Sequence, residues 1–324
     1  MDQRAWRERY DAALSRHLLD RAALGLDPAV PPTRRQRAWL ANGRKRSLRR
    51  DLEHASYPGP VIPGTLATGD PHGWTPQGLT YDAASDRLLQ TSYHHDGRAS
   101  LWIVDATTGR LTGAVGLGPD ARGAPPRHLG GIAVHGDTVL VTSAEKPPRL
   151  FAYDRSTLLA AGPGDVVPAI GEAQPVAGGA YCTVVDHTLY AGTFGKDSPG
   201  RLYTYRWDGR WVDEHGPFET PTRTQGIAVR GDHVVFSTSW GRTRPGSLLS
   251  HRMSDVLGGP LPPPLARIGL PAMAEGIAAV PAGVMTTYES GASGFVEPGR
   301  HRRKELWPAT HMTLTPYADL GLPG

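Results

Sequence analysis

The stretch TRTQGIAVRGDHVVFSTSWGRTRPGSLLSHR, residues 222–252, decides the fold because it recurs. Near-copies begin at Thr75 (TPQGLTYDAASDRLLQTSYHHDGRASLWIVD), His128 (HLGGIAVHGDTVLVTSAEKPPRLFAYD), Ala177 (AGGAYCTVVDHTLYAGTFGKDSPGRLYTY) and Met273 (MAEGIAAVPAGVMTTYESGASGF). Each copy follows one grammar. A Pro/Gly-rich approach leads into a short strand opening X-Gly-apolar. A turn such as HGD or RGD follows, then a second apolar strand ending in Thr/Ser. After a loop come an alternating strand, such as SLWIVD or RLFAYD, and a short fourth strand. The pre-glycine positions Gln77, Gly130, Gly178, Gln225 and Glu275 are separated by 53, 48, 47 and 50 residues. Four strands in ~50 residues is the size of one propeller blade. The expected fold is therefore an all-β, five-bladed β-propeller of four-stranded blades.

The ends of the chain bear on closure. After the fifth copy, ATHMTLTPYADL supplies a third strand and no fourth. Ahead of the first copy, PGPVIPGTLATG resembles the approach to a fourth strand. An N-terminal strand that completes the last blade resolves both observations and removes two open edges. A six-bladed ring with one degenerate blade is the competing arrangement.

Composition agrees with many short strands. The 324 residues include 40 Gly and 30 Pro, with no collagen-like period, so turns are frequent. No apolar run approaches the ~18 residues of a membrane span. The start, MDQRAWRERYDAAL, lacks a secretory apolar core, so the expected location is cytoplasmic. The lone Cys182 excludes an internal disulfide framework and a cysteine-based zinc site; a small buried hydrophobe is its default role.

Two domains are expected, a basic helical extension at 1–55 and the propeller at 56–324. Trp6, Tyr10, Ala13, Leu14, His17 and Leu18 share one face of a helix over residues 1–24. GLDPAVPP breaks it, and a second helix is expected over Arg34–Leu52. Residues 1–55 hold 13 Arg/Lys against 7 Asp/Glu, whereas the remainder holds 22 against 24. Basic residues without interleaved aromatics read as a solvated helix face packed on the main domain, and no nucleic-acid partner is expected.

The first two copies, PQGLTYD…LLQTSYHHDGRASLWIVDATTGRL and HLGGIAVHGDTVLVTSAE…RLFAYDRSTL, resemble the opening of the five-bladed glutamine cyclotransferase propellers. The likeness covers residues 75–160 and continues beyond them as a blade pattern. Members of that family carry a catalytic glutamate in the second strand of the first blade. Matching on the Thr-Ser pair places Gln90 there, and an amide does not transfer a proton as a carboxyl does. The resemblance thus implies the fold, while the chemistry must be read from this chain's own residues. A looser likeness is to gluconolactonase-type propellers, whose blades also begin Glu/Gln-Gly and which bind a divalent cation through a glutamate, asparagines and an aspartate. The only Asn here is Asn42, in the extension.

Propeller topology sorts the candidates. The loop before each first strand and the loop after each second strand open on one face, where functional residues gather on a rigid scaffold. Approach loops bring His72, Trp74, Arg127, His128, Arg223 and Met273 there. The post-strand loops bring Tyr93, His94, Glu145, Trp240, Arg242, Tyr288 and Glu289, among others. Gln77, Gln225 and Glu275 are expected at the rim of the channel. Each has a structural alternative: the two glutamines satisfying channel strands, Glu145 pairing with Lys146, Trp74 and Trp240 packing between blades. His94 and His95 alternate in direction, so at most one points inward.

A desolvated carboxylate acquires a raised pKa suited to acid–base work, and Glu275 is the leading candidate. His94 and Glu289 are its expected proton partners. Gln77, Gln225, Tyr93, Trp74, Trp240, His128, Glu145 and Tyr288 are expected to bind a small-molecule substrate. The expected activity is a non-redox, acid–base cyclisation or rearrangement, with no cofactor and no metal. A lactonase-like hydrolase holding one divalent metal through Glu275 and a His is the alternative, and a non-catalytic ligand- or protein-binding propeller is a third reading. No G-x-S-x-G, P-loop or H-E-x-x-H motif is present.

Overall fold

The computed structural model describes residues 3–26, 30, 33–38, 56–70, 73–296 and 308–323. Strands come in antiparallel fours because each apolar run is broken by a turn built on Gly or Asp. In order from the axis outward, blade one is Trp74–Asp82, Arg87–His94, Ala99–Asp105 and Leu111–Leu117, with Val166–Val167 added in parallel. Blade two is Leu129–His135, Thr138–Ser143, Arg149–Asp154 and Gln174–Pro175. Blade three is Tyr181–Val185, Thr188–Gly192, Pro199–Trp207 and Trp211–Thr222. Blade four is Thr224–Arg230, His233–Thr238, Gly246–Arg252 and Ala266–Leu270.

Blade five is Ala274–Val280, Gly283–Tyr288 and His311–Pro316, and Tyr57–Val61 from the N-terminal side closes it. The five first strands contact one another in ring order, the last against the first. The molecule is a five-bladed β-propeller, closed by the N-terminal strand as the sequence predicts.

Apolar side chains of facing sheets fill the gaps between blades, as in any sheet-on-sheet packing. Leu89, Leu101, Ile132, Val139 and Phe151 join blades one and two. Leu140, Leu150, Leu189 and Tyr205 join two and three, where Cys182 is buried and its thiol pushed up to about 12 by desolvation. Tyr181, Leu202, Ile227 and Phe236 join three and four, and Leu79, Leu88, Val235, Ile277 and Val284 complete the circle.

The repeated glycines are places where neighbouring first strands touch through their backbones. A Cβ on Gly276 would lie 2.3 Å from the Leu79 nitrogen, and one on Gly226 would lie 2.8 Å from the Glu275 carbonyl. Gly78 abuts Gly130 and Gly131 in the same way, and Gly131 abuts Tyr181 and Cys182. These contacts correct one alignment. Tyr181 occupies the glycine place in blade three, so Ala180, and not Gly178, is the pre-glycine equivalent. Gly178 and Gly179 instead lie in the approach, against Gly192 and Ser143.

The N-terminal helix, Gln3–Ala23, docks through polar residues. His17, Asp20 and Arg21 are buried, whereas Leu18 is half-buried and Leu19 is 71% exposed. Arg21 Nη1 donates to Asp70 Oδ2 at 2.5 Å, and Arg110 Nη2 donates to Asp20 Oδ1 at 2.8 Å. The apolar face read from the sequence is therefore only partly the docking face; ion pairing selects the rest. The side chains of Trp6 and Tyr10 lie outside the described set. Residues 34–38 are helical, and residues 39–55, with most of the expected second helix, lie outside the described residues.

Candidate functional site

The X-Gly opening of the first strand is a bulge. Register between first and second strands shifts at Pro76/Leu79, Leu129/Ile132, Thr224/Gly226 and Ala274/Ile277. Such an irregularity bends the strand and re-aims a side chain. It falls at Gln77, Gln225 and Glu275 in three blades, and blade three, which has Tyr181 in place of the glycine, pairs without a shift.

A second device repeats just before it. His128, Arg223 and Met273 have φ of 43°, 68° and 62°, left-handed values that side chains other than glycine seldom adopt. Their carbonyls accept N–H bonds from Ala144 (2.9 Å), Ser239 (2.9 Å) and Glu289 (3.1 Å). The turn that feeds the first strand is thereby pinned to the residue that leaves the second. In blade five this pin fixes Glu289 beside Glu275.

The two carboxyl groups are hydrogen-bonded to each other. Gln225 Nε2 donates to Glu275 Oε1 at 3.1 Å, and Gln77 Nε2 donates to Glu289 Oε2 at 3.2 Å. Ser237 Oγ donates to the Glu275 carbonyl at 2.6 Å, holding its backbone. Glu275 is 4% exposed. Burial first, and then the neighbouring Glu289 charge, hold the Glu275 carboxyl well above the ordinary carboxylate range. For Glu289, burial outweighs the bonds from Glu275 and Gln77 and the charge of Arg242, which pull the other way, and its pKa stands at about 7. Like charges this close do not both ionise readily, so near neutrality the pair holds one proton. Deeper burial favours the proton on Glu275, and the Arg242 charge favours ionisation at Glu289.

The pair faces a cavity of about 430 Å³ at the axis. Tyr93, His128, Phe194, Trp240 and Phe295 form its walls. Tyr93 and His128 stack with centroids 5.2 Å apart, and burial together with the Glu289 charge pushes the Tyr93 phenol up to about 12. Phe194 and Trp240 meet at 5.5 Å; Lys196 lies 5.0 Å from the Trp240 ring and Arg242 4.7 Å from that of Phe295. The result is a carboxyl–carboxylate floor under an aromatic rim bearing cations.

Seven of the eleven residues assigned a catalytic or binding role from the sequence line this cavity: Gln77, Tyr93, His128, Gln225, Trp240, Glu275 and Glu289. Arg242 and Met273, which the loop order also brings to this mouth, line it too. The other four of the eleven are placed elsewhere. His94 is buried, with Nδ1 2.7 Å from Asp96 Oδ1 and its ring 4.9 Å from Trp74, so it is held in the wall of blade one, away from the carboxyl pair. Trp74 packs edge-on to Trp102 and borders a separate cavity between blade one and the N-terminal helix. Glu145 borders a third hollow with Arg127 and Lys146. Tyr288 is fully buried, its hydroxyl 2.5 Å from Thr313 Oγ1, because strand alternation turns it opposite to Glu289. His72 lies outside the described residues.

Gln90, which stands where the resembled family has its glutamate, is fully buried. Thr287 Oγ1 donates to its Oε1 at 2.8 Å and its Nε2 donates to the Pro63 carbonyl at 3.2 Å. It stitches blade one to blade five and the closing segment. Phe194, Ser239 and Phe295 line the cavity without having been selected. The sequence carries a signal for Phe194, since the TFG of blade three echoes the SWG of blade four one residue earlier in the strand register. Phe295 sits in the short helix Ser293–Val296, which has no counterpart in the other copies. Among the described residues no group of three or more His, Cys, Asp or Glu is arranged to hold a metal ion. None of the described helices is long and apolar enough to cross a membrane.

No family model and no curated protein sequence matches the chain. Solved structures similar to it include a glutaminyl cyclase from Myxococcus xanthus, at 13% identity over 80% of this chain and 93% of that one, with a TM-score of 0.44. A GH43_1 enzyme from Xanthomonas citri matches at 13% identity over 82% of this chain and 93% of that one, with a TM-score of 0.45. The chain also spans 55% of a Kuenenia stuttgartiensis hydrazine synthase chain, at 14% identity over 66% of its own length and a TM-score of 0.36. These are likenesses of architecture and carry no argument about chemistry.

Proposed function

We propose that the axial cavity is the active site of an enzyme that cyclises or rearranges a small molecule by acid–base chemistry. The observation that carries this reading is the hydrogen-bonded pair Glu275–Glu289, which holds one proton where a substrate would sit. Two carboxyls with separated pKa values supply an acid and a base in one site. In a cyclisation, the Glu289 carboxylate takes the proton of the attacking group as the new ring bond forms. Glu275 gives its proton to the leaving group as the old bond breaks. The proton gained by Glu289 then crosses their shared hydrogen bond and restores Glu275. In a rearrangement the same two transfers occur at two atoms of one substrate, with no net proton change.

Gln77 and Gln225 orient the carboxyls, and Tyr93, Phe194 and Trp240 bind an apolar or aromatic portion of the substrate. The reading extends to specialised metabolism and a cytoplasmic setting.

The test is untargeted mass spectrometry of small-molecule mixtures incubated with the protein or with Glu275→Gln. The expected product keeps the substrate's mass or loses its leaving group, and it is absent with the variant. A product heavier by one water would instead assign hydrolysis to the same pair. Ligand retention without any product would make the propeller a binding module.

A further inference from the structure

A second cluster of reactive side chains lies on the opposite face, where first strands end and turn into second strands. His135 ends the first strand of blade two, and His187 lies in the corresponding turn of blade three. His135 Nε2 and His187 Nδ1 are hydrogen-bonded at 2.9 Å, one ring donating its N–H to the other, on rings inclined at 82°. Trp207 and Trp211 flank them, with ring centroids 4.9 and 5.1 Å from His135. His187 is exposed, has φ of 61°, and its carbonyl accepts the Trp207 N–H at 3.0 Å, so its backbone is fixed while its ring faces solvent.

We propose that His135 and His187 form a binding site for a divalent transition-metal ion, of the copper(II) or nickel(II) class. Imidazole nitrogens bind such ions at about 2.0–2.1 Å. Two nitrogens at that distance from one ion, and 2.9 Å from each other, subtend about 90° at the metal. That is the cis angle of a tetragonal or square-planar centre, the geometry of copper(II) and nickel(II) with nitrogen and oxygen ligands. A tetrahedral zinc ion needs the nitrogens about 3.3 Å apart. The ion takes the place of the shared proton. The donor imidazole then carries its N–H on its other ring nitrogen instead, so both facing nitrogens offer lone pairs at the observed separation, and water fills the remaining positions. Binding requires both imidazoles to be neutral.

The tryptophans supply the readout, because bound copper(II) or nickel(II) quenches nearby indole fluorescence. The full-length protein is titrated with copper(II) chloride or nickel(II) chloride while tryptophan emission and heat are followed, and zinc chloride serves as the geometric control. The expected result is saturable quenching at one ion per chain, with copper bound more tightly than zinc. His187→Asn keeps a side chain tolerant of left-handed φ, and His135→Gln keeps a polar group. Each variant is expected to weaken binding more than about tenfold, with an unchanged circular dichroism melt. Equal affinity in the wild type and the double variant, or no saturable quenching, overturns the site.

Discussion

At the residue scale the pair Glu275–Glu289 governs two pH effects of opposite use. In the proposed chemistry, turnover needs one proton on the pair. The rate is therefore expected to rise as Glu289 ionises near pH 7 and to fall again at higher pH as Glu275 loses its proton, a bell measured in kcat against pH. Folding stability follows a different sign. Both carboxyls have folded pKa values above the ordinary 4.5, so the folded state holds protons that the unfolded chain has released. Their contribution is fully present below pH 4.5 and is lost as pH rises through about 7 and beyond.

Glu275→Gln replaces a carboxyl that the folded state must keep protonated by a neutral amide, whose Oε1 still accepts from Gln225 Nε2. It is expected to reduce turnover by about 100- to 10,000-fold, yet to raise the urea midpoint at pH 8. A variant less stable than wild type at pH 8 would show that the pair is not desolvated as described. Glu289→Gln removes the proposed base, so turnover is expected to fall by about 100- to 10,000-fold, and the residual rate is expected to lack the acid limb because the group that ionises there is gone.

At the element scale the N-terminal helix is an unusual partner for a propeller because ion pairs hold it. Arg21 and Asp70 have side chains only 5% and 8% exposed. Removing one member of a buried pair costs about 3–5 kcal/mol, since the other charge is left behind in a poor solvent. Asp70→Asn is expected to lower stability by that order in urea unfolding. The exposed Arg122–Glu172 pair is 74% and 55% exposed, and breaking it with Glu172→Gln is expected to have little effect. Equal losses from the two variants would contradict the docking described.

The closing strand Tyr57–Val61 belongs to blade five and makes a clean comparison at the scale of the whole molecule. A chain starting at residue 56 keeps the ring closed and is expected to elute as a monomer. One starting at residue 62 leaves the strand His311–Pro316 as an open edge, a template for pairing with another chain. Self-association on size-exclusion chromatography is expected for the shorter protein only. Closure also holds the site, because Gln77 of blade one reaches Glu289 of blade five across the seam where the ring joins.

Blade number, strand order and the closing strand were legible in the sequence because each is a matter of periodicity, and a repeat that cannot bury its own faces must stack. So was the meeting of Gln77, Gln225 and Glu275 at one opening, since equivalent positions in a ring converge on its axis. Tertiary structure decided what periodicity does not carry. The bulges and left-handed turns chose which neighbouring side chain faces the axis, bringing Glu289 in while Tyr288 and His94 went into packed walls. The shared proton of the two glutamates likewise depends on a separation and a loss of water that exist only once the ring has closed.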